Sequence, residues 1–517
     1  MAAAAALASS SAPAMPALEG TSLAYIDPVL SARVAAGGPT PAILRWDKST
    51  DRAELSRYLA ESGVEAQMLS GFSVAFACVG TADELAGLAA APGALSVYGD
   101  RALKPALDES VETAFDGDPT ALWEGRGITG KGVSIGVIDT GVDATHPDLR
   151  SRVRLNVRAL YGHKDTFGPN TEPPGCPPDR YTSQVQDSET TSGHGTHITG
   201  VAAGDGTVSG GRYTGVAPGA EIIAVGIADT VSPTFRYDDY TQISMFNAFA
   251  GLAYILYTGL EGCRPSPDPA AGGAWCDTFV ATKPAKVVLA GWTIEGLHDP
   301  WHPMVGMIEE LAWYGINVVF PVGNEGSSAS DCSAPETCYV NPLSVSTEGA
   351  IGVAATPKDS RTVLADYSSR GDPVERTARD EPVRYEPFIS APGTGVVSAR
   401  RPGVAPHVQQ PGSNLGAGPH PRAPVTDRRY IAMSGTSIAA AHVAGAIALM
   451  QEAAVKANGC FLLASDVTDI LRATATPMPG YESWEVGAGA LNVPAAVSAA
   501  SKGGAFFPHD PWMCPPA

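Results

Sequence analysis

Val133-Ser134-Ile135-Gly136-Val137-Ile138-Asp139-Thr140-Gly141-Val142-Asp143 is a short apolar run that stops at a carboxylate and a glycine turn. An apolar run of this length bounded by turn residues reads as a buried strand. A carboxylate at the carboxyl end of a buried parallel strand lies where open α/β sheets place their sites. Comparable runs recur at residues 222–226, 287–289 and 318–322, each beside a helix-like segment. Such alternation across residues 120–517 predicts an α/β fold with a mostly parallel central sheet and helices on both faces. Working outward, residues 39–101 have a different texture. Strands at 42–46, 71–79 and 95–98 alternate with a helix at 51–62, where Leu55, Tyr58 and Leu59 share one face, and a second helix opened by a Thr81/Glu84 capping box. That order predicts a small two-layer α+β domain of ferredoxin-like kind. Residues 1–38 are rich in Ala, Ser, Gly and Pro and read as low-complexity chain outside the fold; residues 102–119 read as a linker.

Bulk properties narrow the function. The chain has 517 residues, 54 acids against 34 bases and a formal charge of −20, so it repels phosphate backbones and nucleic acid is not an expected partner. No apolar run is read as reaching the roughly 18 residues of a membrane span, the nearest being residues 246–260, so no membrane partner is expected. The first 14 residues end in an A-x-A-like manner, but no Lys or Arg precedes Arg33, so a secretory signal lacks its basic region. The eight cysteines include no C-x-x-C pair, which disfavours a structural zinc. Cys263 with Cys276, Cys332 with Cys338 and Cys460 with Cys514 are candidate staples, leaving Cys78 and Cys176 over; the alternative is free thiols in a reducing compartment.

Two further segments carry reactive groups beside small residues. Gly193-His194-Gly195-Thr196-His197 opens an Ala- and Gly-rich helix, and Ser434-Gly435-Thr436-Ser437-Ile438-Ala439 opens another that Gly459 should end. Asp139 alone could cap a turn, and Ser437 alone could cap a helix. His197 is expected to pack or hydrogen-bond, and a His194/His197 zinc site lacks further ligands in a known pattern. A hydroxyl nucleophile needs a base, and the base needs a group to orient it; Ser437, His194 and Asp139 supply these roles. Pro321-Val322-Gly323-Asn324-Glu325-Gly326 offers an amide for an oxyanion.

The order Asp, His, Ser with D-T-G, H-G-T-H, G-N-E-G and G-T-S-x-A resembles the subtilisin family of serine peptidases. The likeness extends over residues 122–500 and includes Gly215-Val216-Ala217-Pro218-Gly219 and Ser390-Ala391-Pro392-Gly393. It implies a seven-stranded, mostly parallel sheet, a triad of Asp139, His194 and Ser437, and Asn324 as oxyanion donor. It also implies polypeptide substrates, secretion, and an inhibitory propeptide at residues 39–101 that the enzyme cuts off itself. No cofactor is required, and a monomer is expected. Where the family has S-L-G along the substrate, this chain has Gly291-Trp292-Thr293, which with Gly323 form the candidate substrate-binding set; Trp292 is expected to reshape the first pocket. At the family's main calcium loop only Asp148 matches a ligand, so calcium is an open alternative that the residues do not support. Long insertions at 161–191, 261–282 and 400–429 lie where they would rim a cleft. Two other readings compete: a catalytically silent relative that binds a peptide in the cleft, and a narrow-specificity processing protease.

Overall fold

The computed structural model describes residues 24–502 except 63, 70–72, 100–101, 106–111, 116, 118, 160–183, 190–191, 230–241, 260–284, 295–301, 327–340, 342, 344–346, 377–381 and 403–427. The N-terminal unit contains β1 (Tyr25–Ile26), α1 (Pro28–Ala36), β2 (Thr40–Trp46), α2 (Arg52–Glu61), β3 (Glu65–Met68), β4 (Val74–Val79), α3 (Ala82–Ala89) and β5 (Ala94–Gly99). Its sheet runs β1-β5-β2-β4-β3, with β2 antiparallel to both β4 and β5. The expected capping box is present: Thr81 Oγ1 accepts from the Glu84 amide at 3.1 Å, while Glu84 Oε2 accepts from the Gly80 amide at 2.6 Å.

Two boundaries differ from the sequence reading. Chain before residue 39 belongs to this unit from Ala24 on: β1 pairs with β5 in parallel, and Leu30 and Val34, one helical turn apart, are buried. Residues 102–119 are not a plain linker either. They contain β6 (Ala102–Pro105) and a 3-10 turn at Glu112–Phe115 whose Ala114 and Phe115 enter the core of the large unit.

After the short helix α4 (Thr120–Trp123) come β7 (Ser134–Asp139), β8 (Val153–Arg158), α5 (His194–Ala203), β9 (Glu221–Gly226), β10 (Ala228–Asp229), β11 (Gln242–Ser244) and α6 (Met245–Gly259). They are followed by β12 (Ala285–Ala290), β13 (Trp292–Thr293), α7 (Pro303–Trp313), β14 (Asn317–Pro321), β15 (Ala350–Pro357), the hairpin β16 (Asp372–Arg376) and β17 (Pro382–Tyr385), β18 (Ile389–Ala399), β19 (Tyr430–Ser434) and α8 (Thr436–Asn458). The main sheet has eight strands in the order β19-β18-β15-β14-β12-β7-β9-β8. All neighbours in it are parallel except β18 and β19. The sheet is the α/β architecture expected, with the antiparallel strand added at one edge. Strand order reverses around β7: the chain moves out through β8 and β9, then returns to β12 on the other side. The crevice at the carboxyl ends of β7 and β12 is therefore the switch point where such sheets form sites.

Helix α8 crosses beneath this crevice. Its Ala439, Ala440, Ala441 and Ala444 are fully buried, small side chains that let the helix lie close to the sheet. Gly459 ends it in the left-handed conformation at φ 80°, its amide donating to Val455. By length and apolarity this helix could cross a bilayer, which the sequence reading missed because Ser437, His442 and Gln451 interrupt the run. It is instead a core helix, with 94% of its most apolar stretch buried.

Candidate active site

Each reactive residue sits at an element end. Asp139 is the last residue of β7, His194 the first of α5, Ser437 the second of α8, and Asn324 follows β14 by three positions. His194 Nδ1 is 2.7 Å from Asp139 Oδ1, and His194 Nε2 is 2.9 Å from Ser437 Oγ. All three residues are fully buried. Asp139 accepts a hydrogen bond from Nδ1–H, which keeps the proton on Nδ1, so the histidine presents its unprotonated Nε2 to the serine hydroxyl. The Thr140 amide also donates to Asp139 Oδ1, at 2.7 Å, fixing the carboxylate against its own strand end.

Gly291 shows why a residue without a side chain stands there. A Cβ at that position would lie 2.4 Å from Asp139 Oδ2 and 3.2 Å from His194 Cε1. Asn324 is held by its oxygen: Oδ1 accepts from the Thr436 amide at 2.9 Å and from Thr436 Oγ1 at 3.0 Å, leaving the amide nitrogen as its remaining donor. The Gly323 amide donates to Thr436 Oγ1 at 3.2 Å, so this threonine ties the G-N-E-G turn to the start of α8. In the sequence Thr436 is marked only by its place within G-T-S; its role is visible once the fold sets Asn324 beside it.

Trp292 is anchored inside the fold. Its indole is fully buried, donates from Nε1 to the Ile138 carbonyl at 3.1 Å and meets Phe320 edge-on at 5.4 Å. The side chain braces β7 against the neighbouring strands. Its backbone does face the cleft. Trp292 and Thr293 pair antiparallel with Pro105 and Lys104 of β6, and on the other side Ile243 and Ser244 of β11 pair with Leu103 and Ala102. The chain's own β6 thus lies extended between two cleft strands.

His197 packs as expected: its Nε2 donates to the Ile431 carbonyl at 3.2 Å, and burial, then the proximity of His194, push its pKa down to about 3. His442 is likewise buried, its Nδ1 donating to the Ile438 carbonyl at 2.8 Å, and burial lowers its pKa to about 4. Among the described residues no group of three or more His, Cys, Asp or Glu could hold a metal. At the loop matched to calcium, Asp148 Oδ1 accepts from the Val208 amide at 2.8 Å and Oδ2 from the Tyr430 hydroxyl at 2.5 Å. Asp205 is similarly occupied by the Thr207 amide and the Ser151 hydroxyl. Each of these four carboxylate oxygens thus accepts one protein hydrogen bond. Cys78 and Cys460 are both disulfide-bonded, so Cys78 is not left over. The other six cysteines lie outside the described residues.

A buried Ser-His-Asp relay with an amide-bearing turn opposite it, at the switch point of a parallel sheet, defines a serine hydrolase of the α/β class. Residues 130–490 match the model of the subtilase family, and the chain belongs to that family as a subtilisin-like serine protease. It is 26% identical over 408 residues to serine protease AprX of Bacillus subtilis (strain 168), covering 77% of this chain and 72% of that protein. Subtilisin E of the same organism is 26% identical over 372 residues, covering 72% and 67%. The crystal structure of fervidolysin from Fervidobacterium pennivorans, described as a keratinolytic enzyme related to subtilisin, superposes with a TM-score of 0.55 at 19% identity. It covers 89% of this chain and 61% of that one, and it supports the fold.

Proposed function

We propose that this protein is a secreted serine endopeptidase made as a self-processing zymogen. The observation that carries this reading is the hydrogen-bonded run Asp139 Oδ1, His194 Nδ1, His194 Nε2 and Ser437 Oγ, at 2.7 and 2.9 Å. Ser437 Oγ attacks the peptide carbonyl while His194 takes its proton; the same proton passes to the leaving amine as the C–N bond breaks. Water then repeats the sequence on the acyl-enzyme. Asp139 holds His194 in the tautomer that can accept, and Asn324 with the Ser437 amide stabilises the oxyanion. Substrates are polypeptides bound as an added strand along Gly291, Trp292 and Thr293, with Gly323 next to the oxyanion donor.

The N-terminal unit acts as the propeptide and partner. The backbone pairing of β6 with β11 and β13 supports this, because an extended segment held on both sides is the posture of a bound substrate. Processing then falls after Pro105 and before Gly127. Two disulfide-bonded cysteines support an oxidising destination. N-terminal sequencing of the purified protein tests the reading: wild type should begin after Pro105, and Ser437→Ala should stay uncut. A Ser437→Ala chain that processes itself in isolation overturns it.

A further inference from the structure

Glu189 lies outside the triad yet is buried with it, only 1% exposed, in the polar stretch leading to α5. Its Oε2 accepts from Thr140 Oγ1 at 2.7 Å. The same hydroxyl stands 3.2 Å from Asp139 Oδ1 and accepts from the Gly195 amide at 2.8 Å. A hydroxyl has one proton to give, so the two carboxylates compete for it, and the shorter contact is to Glu189. The backbone leading into Glu189 is closely held. Ser188 and Glu189 lie so close to Gly141 that a Cβ there would stand 2.2 Å from the Ser188 carbonyl oxygen, and the Glu189 amide donates to Asp187 Oδ1 at 3.0 Å. Asp139 Oδ2 has no hydrogen-bond partner among the described residues, so a donor gained or lost at Oδ1 matters.

We infer that Glu189 is a positioning residue for the triad, drawing the Thr140 hydroxyl proton away from Asp139 and thereby strengthening the aspartate's hold on His194. This rests on the proposed role of the triad. Two effects act in one direction. Asp139 keeps more of its negative charge for the imidazole, and Glu189 adds a second negative charge to the same water-poor pocket; both favour the imidazolium formed during catalysis. Among the described neighbours of His194, Ser437 is neutral, Gly291 has no side chain, and His197 is held neutral by burial. Among the described residues, Asp187 accepts from the Glu189 amide, pairs with Arg401 at 3.1 Å and lies near Asp143.

The test is the pH profile of kcat/KM for the processed enzyme on a chromogenic peptide, with fluorophosphonate uptake measured in parallel. Glu189→Gln should move the acidic limb down by about 0.5 pH unit or more and lower kcat severalfold, with probe still taken up. Glu189→Asp keeps the charge but shortens the reach, and should fall between the two; it gives the reading if the Gln variant fails to fold. Thr140→Ser keeps the hydroxyl and should behave as wild type, while Glu189→Gln should shift the limb less on a Thr140→Val background than in wild type, because only its direct charge effect remains there. An acidic limb that stays in place in labelled Glu189→Gln or Glu189→Asp, or full additivity with Thr140→Val, overturns the inference. Wild-type protein that takes up no probe overturns the triad reading itself, and this inference with it.

Discussion

At the catalytic edge, polar groups are buried and answered within a few residues of a glycine turn; where the N-terminal unit rests on α6 and α7, a few isolated side chains make the contact. Asp139 is served by its neighbour Thr140 and by His194 at the start of one helix. At the other surface, Phe76 of β4 wedges between Phe246 and Phe249 of α6, at ring distances of 4.9 and 5.9 Å, and Tyr98 meets His302 edge-on at 4.5 Å. Arg45 reaches Glu309 at 3.2 Å, but the glutamate side chain is 39% exposed, so that pair contributes at most about 1 kcal/mol. The apolar wedge outweighs it. The comparison teaches that the catalytic edge depends on orientation and charge, whereas the contact between the units depends on buried apolar area.

Predictions that probe this difference run from large to small. Asn324→Ala should lower kcat by about 10² to 10³, since it removes an oxyanion donor, and should also cost about 1 kcal/mol of stability because Oδ1 no longer accepts from Thr436; steady-state kinetics beside a melting curve decide this. Phe76→Ala, made in uncut Ser437→Ala protein, should destabilise the contact by about 3 kcal/mol and give the N-terminal unit an earlier transition in denaturant. A single unchanged transition would mean that the polar pairs hold the units together after all. The smallest effect concerns pH. His442 has a folded pKa of about 4, below its ordinary value of 6.5, so the unfolded chain binds the proton first as pH falls. Stability from this group is present above pH 6.5 and declines toward pH 4 by a few kcal/mol. His442→Gln should flatten that slope by about one proton in urea titrations at stepped pH, and mutation at the contact between the units should leave the slope alone.

Much of the catalytic edge is legible in the chain because chemistry and backbone both demand short local signals. D-T-G, H-G-T-H, G-N-E-G and G-T-S each place a reactive group beside a residue small enough for close approach, and each adjoins a strand end or helix start. The contact between the units is harder to read. Phe76 has the same alternating pattern as any core strand, and nothing local says that its partners lie on α6. Strand β1 and helix α1 were hidden by an Ala-, Ser- and Gly-rich background in which only Leu30 and Val34 mark a buried stripe. Strand β6, Ala102–Pro105, carries a lysine and a proline and gains its form from the strands that clasp it. At Trp292 the position beside the site is legible, whereas the packing of its indole on the Ile138 carbonyl and Phe320 is not, since both partners lie far away in sequence. Glu189 was missed within a long polar insertion because only the fold brings it to Thr140.

The most direct test is covalent: treat the purified, processed enzyme with a fluorophosphonate and map the modified peptide by mass spectrometry. One adduct on Ser437, lost when His194 is changed to alanine, is the outcome expected if the imidazole activates that hydroxyl. No adduct, or an adduct on Ser437 that survives His194→Ala undiminished, would contradict the account.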